Sequence, residues 1–317
     1  MSKADSQDTS RLIIIHAPRP SLGWNGVRIT SGVVLAVGII AVSTASIFIR
    51  YAQVEAPSLV IATYRVAVAS FVLVPVTCQR RQAELRNLQP ADWPLAIASG
   101  IFLSLHFATW ITSLEYTTVA SSVVLVSTSP LWVAVAARLL LHERLTRAAI
   151  LGLIMAVAGG IIIGFSDVAQ MAGSAPLLGN AVALAGAVAV TGYWLIGRRL
   201  RARVSLVPYV TVVYSAAALV LLLMTVVARE PLTGYHPVIY VWLLLLGLVP
   251  QLIGHSSFNW ALARLPATFV AVSTLGEPIG STALAYLFLD ETPSLLKILG
   301  AALILTGIVF TLKPDCR

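Results

Sequence analysis

Residues 123–143 read VVLVSTSPLWVAVAARLLLHE, and residues 271–291 read AVSTLGEPIGSTALAYLFLDE. Both are apolar runs that carry a proline, pass through a second apolar stretch and close on a glutamate. They lie 148 positions apart. Sliding the chain over itself by that offset, without gaps, gives ten identities in the 36 positions from 124 to 159. Leucines match each other cheaply in any apolar chain. Pro130 with Pro278, Glu143 with Glu291, Gly152 with Gly300 and Gly159 with Gly307 do not, and they fall in register. The same offset pairs Gly38 with Gly186 and Arg50 with Arg198. The chain therefore reads as a duplication.

The composition says which solvent the two copies fold in. Of 317 residues, 58% are hydrophobic and 11% charged, whereas soluble domains carry about 25% charged residues. A chain this apolar would expose large greasy patches in water, so lipid is its natural surrounding. Apolar segments long enough to cross about 30 Å of hydrocarbon are read at 30–49, 57–77, 93–113, 118–140, 147–166, 177–197, 207–228, 237–261, 267–288 and 294–312. They must be helices, because lipid offers no partner to a free backbone group. The alternating ten-residue pattern of an outer-membrane barrel is absent. The expected fold is thus an all-α integral membrane protein of ten transmembrane helices.

Lysine and arginine set the expected orientation. Seventeen of the 21 fall on one side of these spans; Arg50, Arg229 and Lys297 fall on the other, and Arg65 lies within a span. The positive-inside rule then puts both termini in the cytoplasm. Each repeat holds five spans, an odd number, so the second copy enters the membrane from the opposite face and the repeats are inverted, a plan common among secondary transporters. The expected organisation is a flexible cytoplasmic tail at 1–28, a first five-helix repeat at 29–166, a linker at 167–176, a second repeat at 177–312 and a cytoplasmic C-terminus at 313–317. The apolar patch that starts at Leu12 is too short for a signal-peptide core.

The net charge of +8 comes from residues at span ends and forms no basic face, so no nucleic-acid partner is expected. Cys78 and Cys316 suggest neither a disulfide framework nor a metal site. No HExxH or GxSxG motif occurs, and none of the three lysines sits in a phosphate-binding GK[ST]. The chain is read as no enzyme, with no catalytic residue, no cofactor and no metal.

Arg65 in the second span, Pro130 followed by Leu139–Leu140–Leu141–His142–Glu143, Glu277–Pro278 followed by Leu287–Phe288–Leu289–Asp290–Glu291, and the Asn259–Trp260–Ala261–Leu262 run together resemble the drug/metabolite transporter superfamily, in particular its EamA-domain members. The likeness covers roughly residues 29 to 312. It implies a central cavity lined mainly by spans 1, 3, 4, 6, 8 and 9, and an activity in moving amino acids, other metabolites or toxic compounds, with sugars and nucleotides carried by some members. One departure stands out: a glycine commonly precedes the glutamate that ends spans 4 and 9, and here His142 and Asp290 take its place.

Glu277 is the most informative residue. Read as about ten residues into span 9, it would lie near the bilayer midplane, where a carboxylate costs at least about 2.5 kcal/mol unless paired, solvated or protonated. Such a group is a candidate proton carrier and substrate ligand; alternatively it bonds backbone groups freed by Pro278. Ser129 and its neighbours Ser127 and Thr128 are the span 4 counterpart, able to contact a solute or to satisfy a broken helix. His106 and Trp110 share a face of span 3. Gln251, His255 and Asn259 recur every four residues in span 8, as proton relay or as interhelical glue. Tyr193 and Trp194 are either cavity wall or interfacial belt. Arg65 is expected to pair with Glu115 or another group near the extracytoplasmic surface, or to snorkel outward. Glu143 and Glu291 are expected to cap the hairpins they end, and the paired glycines to mark close helix packing.

These readings lead to a secondary transporter of the bacterial inner (cytoplasmic) membrane, exporting a small metabolite (an amino acid or related compound) or a drug by alternating access, with protons as the candidate coupling ion, as monomer or homodimer. A passive channel or an uptake carrier is the alternative.

Overall fold

A computed structural model of the chain describes residues 24–86, 88–140, 147–170, 173–265, 270 and 273–311. His142, Glu143, Cys316 and the terminal segments 1–23 and 312–317 lie outside the described residues. What is described is helical, with no strand among the described residues. In chain order the helices are α1 (Trp24–Ser43), α2 (Ala45–Ala52), α3 (Ser58–Arg80), the short α4 (Gln82–Arg86), α5 (Asp92–Tyr116), α6 (Val119–Val126), α7 (Ser129–Leu140), α8 (Arg147–Ala169), α9 (Pro176–Arg201), α10 (Leu206–Val227), α11 (Pro237–Leu246), a π-helical segment (Gly247–His255), α12 (Ser256–Leu262), α13 (Gly276–Leu289) and α14 (Leu295–Thr311). Helix α1 begins at Trp24, so residues 24–28, expected to end a flexible tail, are helical.

Seven stretches of the described chain are long and apolar enough to cross a bilayer, and Val119–Val133 and Leu295–Phe310 add shorter apolar helices. Large apolar side chains such as Phe71, Phe165 and Leu223 point outward, as a lipid-facing surface requires. The chain is a multi-pass membrane protein.

Several expected spans are not continuous helices. The first is interrupted at Thr44 between α1 and α2. The fourth breaks at Ser127 and Thr128, because Pro130 has no N–H to give and its ring crowds the preceding turn. At the break the Leu125 carbonyl accepts both the Thr128 backbone N–H at 3.2 Å and Thr128 Oγ1 at 2.7 Å. The eighth winds as a nine-residue π-helix around Pro250, the local adjustment that absorbs a proline's missing bond. In the ninth, α13 starts at Gly276. Glu277 therefore sits in a first helical turn rather than mid-helix, where backbone N–H groups favour a negative charge. Pro278 is tolerated there because first-turn N–H groups have no intrahelical acceptor.

The two copies meet through their glycines. A Cβ on Gly159 would lie 2.5 Å from the Gly300 carbonyl oxygen, and one on Gly307 would lie 2.5 Å from the Gly152 carbonyl oxygen. Residue numbers rise along α8 as they fall along α14, so these repeat-related helices pack antiparallel with their backbones almost touching. Gly38 and Gly186 repeat the theme: the first lies against Ser257 and Phe258, the second against Thr109 and Trp110, each residue displaced by the same 148 positions.

At one end of the bundle, polar contacts join the copies. Lys297 Nζ lies 2.9 Å from Asp167 Oδ1, with both side chains almost wholly buried. Ser121 Oγ and Asn180 Nδ2 also donate to Asp167, at 2.9 and 2.8 Å. Glu291 accepts from Arg50 Nη2 at 3.0 Å and from the backbone N–H of Val119 at 2.8 Å. It was expected to cap its own hairpin; it caps the start of α6 in the other copy instead. The reason is Asp290, which turns the chain through a left-handed conformation (φ 54°, ψ 24°) so that the Glu291 N–H reaches back to the Ala285 carbonyl. This is a Schellman-type helix end, a place where glycine is usual.

Candidate functional site

A small cavity of about 50 Å³ lies among α5, the α6–α7 break, α9, the π-segment, α12 and α13. Of the eight residues singled out from the sequence, six line it: His106, Trp110, Ser129, Trp194, His255 and Glu277. Ser127 and Thr274 complete its polar lining. The other two stand one layer behind. Asn259 and Tyr193 are fully buried, and Asn259 Nδ2 donates to the Tyr193 hydroxyl at 2.5 Å and to the His255 carbonyl at 2.8 Å. They brace the wall and do not face the cavity.

Aromatic rings make most of that wall. His106 stacks on Trp110 with centroids 5.9 Å apart, and His255 lies parallel to Trp194 at 6.4 Å. The two histidine rings lie 6.5 Å apart and tilted by 54°, too far for a direct hydrogen bond. His106 Nδ1 bonds the Gly186 carbonyl at 3.0 Å and so ties α5 to α9, which is the glue reading of that residue. His255 Nδ1 has no partner.

Arg65 corrects the sequence reading. It was expected to pair with Glu115 or another group near the extracytoplasmic surface, or to snorkel outward. Glu115 accepts from Ser58 instead. Arg65 is wholly buried: its Nε donates to Gln251 Oε1 at 3.0 Å, and its guanidinium carbon lies 4.2 Å from the Phe107 ring centroid and 5.4 Å from that of Trp110. The arginine is therefore packed against the Phe107 and Trp110 rings, the second of which lines the cavity. Arg65 and Gln251 belong with the site although neither was chosen for it. Gln251 shares its helix face with His255 and Asn259, as its spacing in the sequence indicates, and all three are buried.

A far larger space of about 800 Å³ lies along α7, α8 and α9, lined by Leu131, Trp132, Val157, Phe165 and Leu177 among others. Val157, Phe165 and Leu177 are exposed on the outside of the bundle, so acyl chains rather than a polar solute suit this groove. His, Cys, Asp and Glu gather into no metal-holding group among the described residues.

A buried cavity framed by broken helices from two copies of one unit, inside a lipid-facing bundle, defines the class: a membrane transporter for a small molecule. The EamA-like transporter family description matches residues 30–165 and 177–313, and the chain belongs to that family. Its relatives include the "Pseudopaline exporter CntI" of Pseudomonas aeruginosa (strain UCBPP-PA14), 26% identical over 88% of this chain and 95% of that protein. Another is the "Uncharacterized transporter YdfC" of Bacillus subtilis (strain 168), 24% identical over 79% of this chain and 80% of that protein. The "Probable terminal-alkyne amino-acid exporter" of Streptantibioticus cattleyicolor is 28% identical over 58% of this chain and 61% of its own length. A solved structure described only as "Crystal structure of protein" shares the fold, with a TM-score of 0.65 and 22% identity over 89% of this chain and 96% of that one. Family and relatives point to a transporter rather than an enzyme.

Proposed function

We propose that the chain is a secondary exporter of the bacterial inner membrane that carries a small metabolite, an amino acid or related compound, or a drug, by alternating access. In this reading it spans the bilayer ten times as two inverted five-helix repeats, with both termini cytoplasmic and Glu277 exchanging protons or cations during the cycle. The carrying observation is that one small cavity gathers Glu277, His106, His255, Trp110 and Trp194 from helices of both repeats. The antiparallel α8–α14 contact supports inversion, and the lysine and arginine distribution supports the orientation. Two relatives named as exporters, of pseudopaline and of a terminal-alkyne amino acid, favour outward transport of amino-acid-like solutes.

The test is growth protection in bacteria overproducing the protein, challenged with toxic amino-acid analogues and cationic drugs. Protection by the wild type and its loss in Glu277→Gln, at equal membrane expression, is the expected result. Sensitisation by the wild type would instead mean uptake, and flux that neither saturates nor follows the proton gradient in proteoliposomes would mean a channel.

A further inference from the structure

The groove along α7, α8 and α9 encloses about 800 Å³, within the range that bound molecules occupy, and it lies on the outside of the bundle. Its α8 wall runs from Leu153 to Val168 on one helix face, about 22 Å along the helix. One leaflet offers about 15 Å of hydrocarbon, so the groove follows an extended chain and not a compact solute.

Two glycines make it deep. Gly160 and Gly164 are four residues apart and so share a face of α8. A Cβ at Gly159, one residue earlier, would meet the Gly300 carbonyl at 2.5 Å, which packing forbids. A Cβ at Gly160 would meet only Leu125 Cδ2 at 3.9 Å, and one at Gly164 only Leu177 Cδ2 at 3.7 Å, both ordinary contacts. Packing therefore asks for glycine at 159 and not at 160 or 164, where the missing side chains leave a channel open to the bilayer.

The groove also has a polar fixture. Asn180 lines it, one turn inside the start of α9 and 7% exposed. Its Nδ2 is spent on Asp167 Oδ2 at 2.8 Å, and its Oδ1 is buried with no partner. Thr128, also in the lining, is already paired with the Leu125 carbonyl and with Trp132 Nε1. An unpaired buried acceptor calls for a donor. Leu177 and Leu178, exposed apolar residues at the start of α9, put Asn180 near the level where acyl chains meet head groups.

We propose that the groove is a phospholipid-binding site: one acyl chain lies along Gly160 and Gly164, and a hydroxyl or ammonium of the head group donates to Asn180 Oδ1. Leu131, Trp132 and Val135 of α7 line the groove, while Ser129, at the start of the same helix, lines the central cavity. The bound chain therefore backs the half-helix that forms one wall of that cavity. Its bearing on transport rests on the carrier reading above; the site itself does not.

The experiment uses the full-length protein, purified in detergent and offered phosphatidylethanolamine, phosphatidylglycerol or phosphatidylcholine with identical chains. Native mass spectrometry reads the lipid retained. The expected result is one lipid per protein, with at least one of the two donor head groups held about 3- to 10-fold better than phosphatidylcholine, whose quaternary ammonium has no hydrogen to donate. Gly160→Leu and Gly164→Leu, which fill the channel, should lose the lipid. Gly32→Leu, where nothing lies within 4 Å of an added Cβ, should keep it. Size-exclusion profiles that match the wild type confirm that each variant folds. Equal retention of all three lipids overturns the contact at Asn180. Full retention by both filled variants overturns the groove as the site, and a lipid-free dimer does the same by showing that a second copy covers it. Retention is read with no solute present, so lipid held by a protein that moves no solute in proteoliposomes would overturn the carrier reading and leave the site standing.

Discussion

Glu291 and Val119 stand 172 positions apart, yet one carboxylate oxygen of Glu291 accepts the backbone N–H of Val119 at 2.8 Å while the other accepts from Arg50 at 3.0 Å. The carboxylate thus clamps the end of α13 onto the start of α6 and the end of α2, across the boundary between the two repeats. It also satisfies one of the N–H groups that every helix start leaves open.

The clamp predicts an order of effects. Glu291→Ala removes both bonds and should lower stability by about 1–3 kcal/mol. Arg50→Ala should cost less, because the amide bond to Val119 survives and the partly exposed ion pair is worth about 0–1 kcal/mol. Thermal melts of the two purified variants decide this. Equal losses would mean that the ion pair, and not the capping bond, holds the repeats together.

Lys297 and Asp167 form a pair that is 5% and 0% exposed. Removing one partner leaves a buried charge, so Lys297→Met should destabilise by about 3–5 kcal/mol. Adding Asp167→Asn should recover much of the loss, since Ser121 and Asn180 can still bond an amide at that position. A double-mutant cycle from melting curves measures the coupling. Strictly additive losses would show that the two charges act independently.

Close packing of α8 against α14 leaves no room for a methyl group at Gly159 or Gly307. Gly159→Ala pushes a Cβ into the Gly300 carbonyl and should cost about 1–3 kcal/mol, the range for overpacking. At Gly32 nothing lies within 4 Å of an added Cβ, so Gly32→Ala should leave the melting temperature unchanged or raise it slightly. A harmless Gly159→Ala would mean that the two helices slide apart without penalty.

Asp290 holds φ at +54°, a conformation that glycine adopts without steric cost. Asp290→Gly should therefore stabilise the protein, by up to about 1 kcal/mol, and Asp290→Val should destabilise it by more than that. Calorimetry on the pair checks the sign. This position is also where the sequence departs from the glycine usual in its family, and the backbone explains why glycine is usual there.

The hydrophobic composition, the 148-residue offset and the polar residues inside apolar runs were all legible in the sequence, because lipid leaves so few solutions. A chain this apolar must cross the membrane as helices, and Pro, Glu and Gly in register can hardly arise twice by chance. Six of the eight residues chosen from those patterns meet in one cavity, since a polar side chain in a span has to turn inward. What the sequence could not tell is how each helix is wound and which polar neighbours meet. The breaks at Thr44 and at Ser127–Thr128 and the π-turn at Pro250 re-aim the side chains that follow them. Spacing counted along an ideal helix put Gln251, His255 and Asn259 on one face, and all three are buried, but it did not show that the helix restarts at Gly276, just before Glu277. Arg65 was legible as an intramembrane charge, but its partner was not: that it bonds Gln251 and not Glu115 depends on which helices touch, and only their packing in three dimensions decides that.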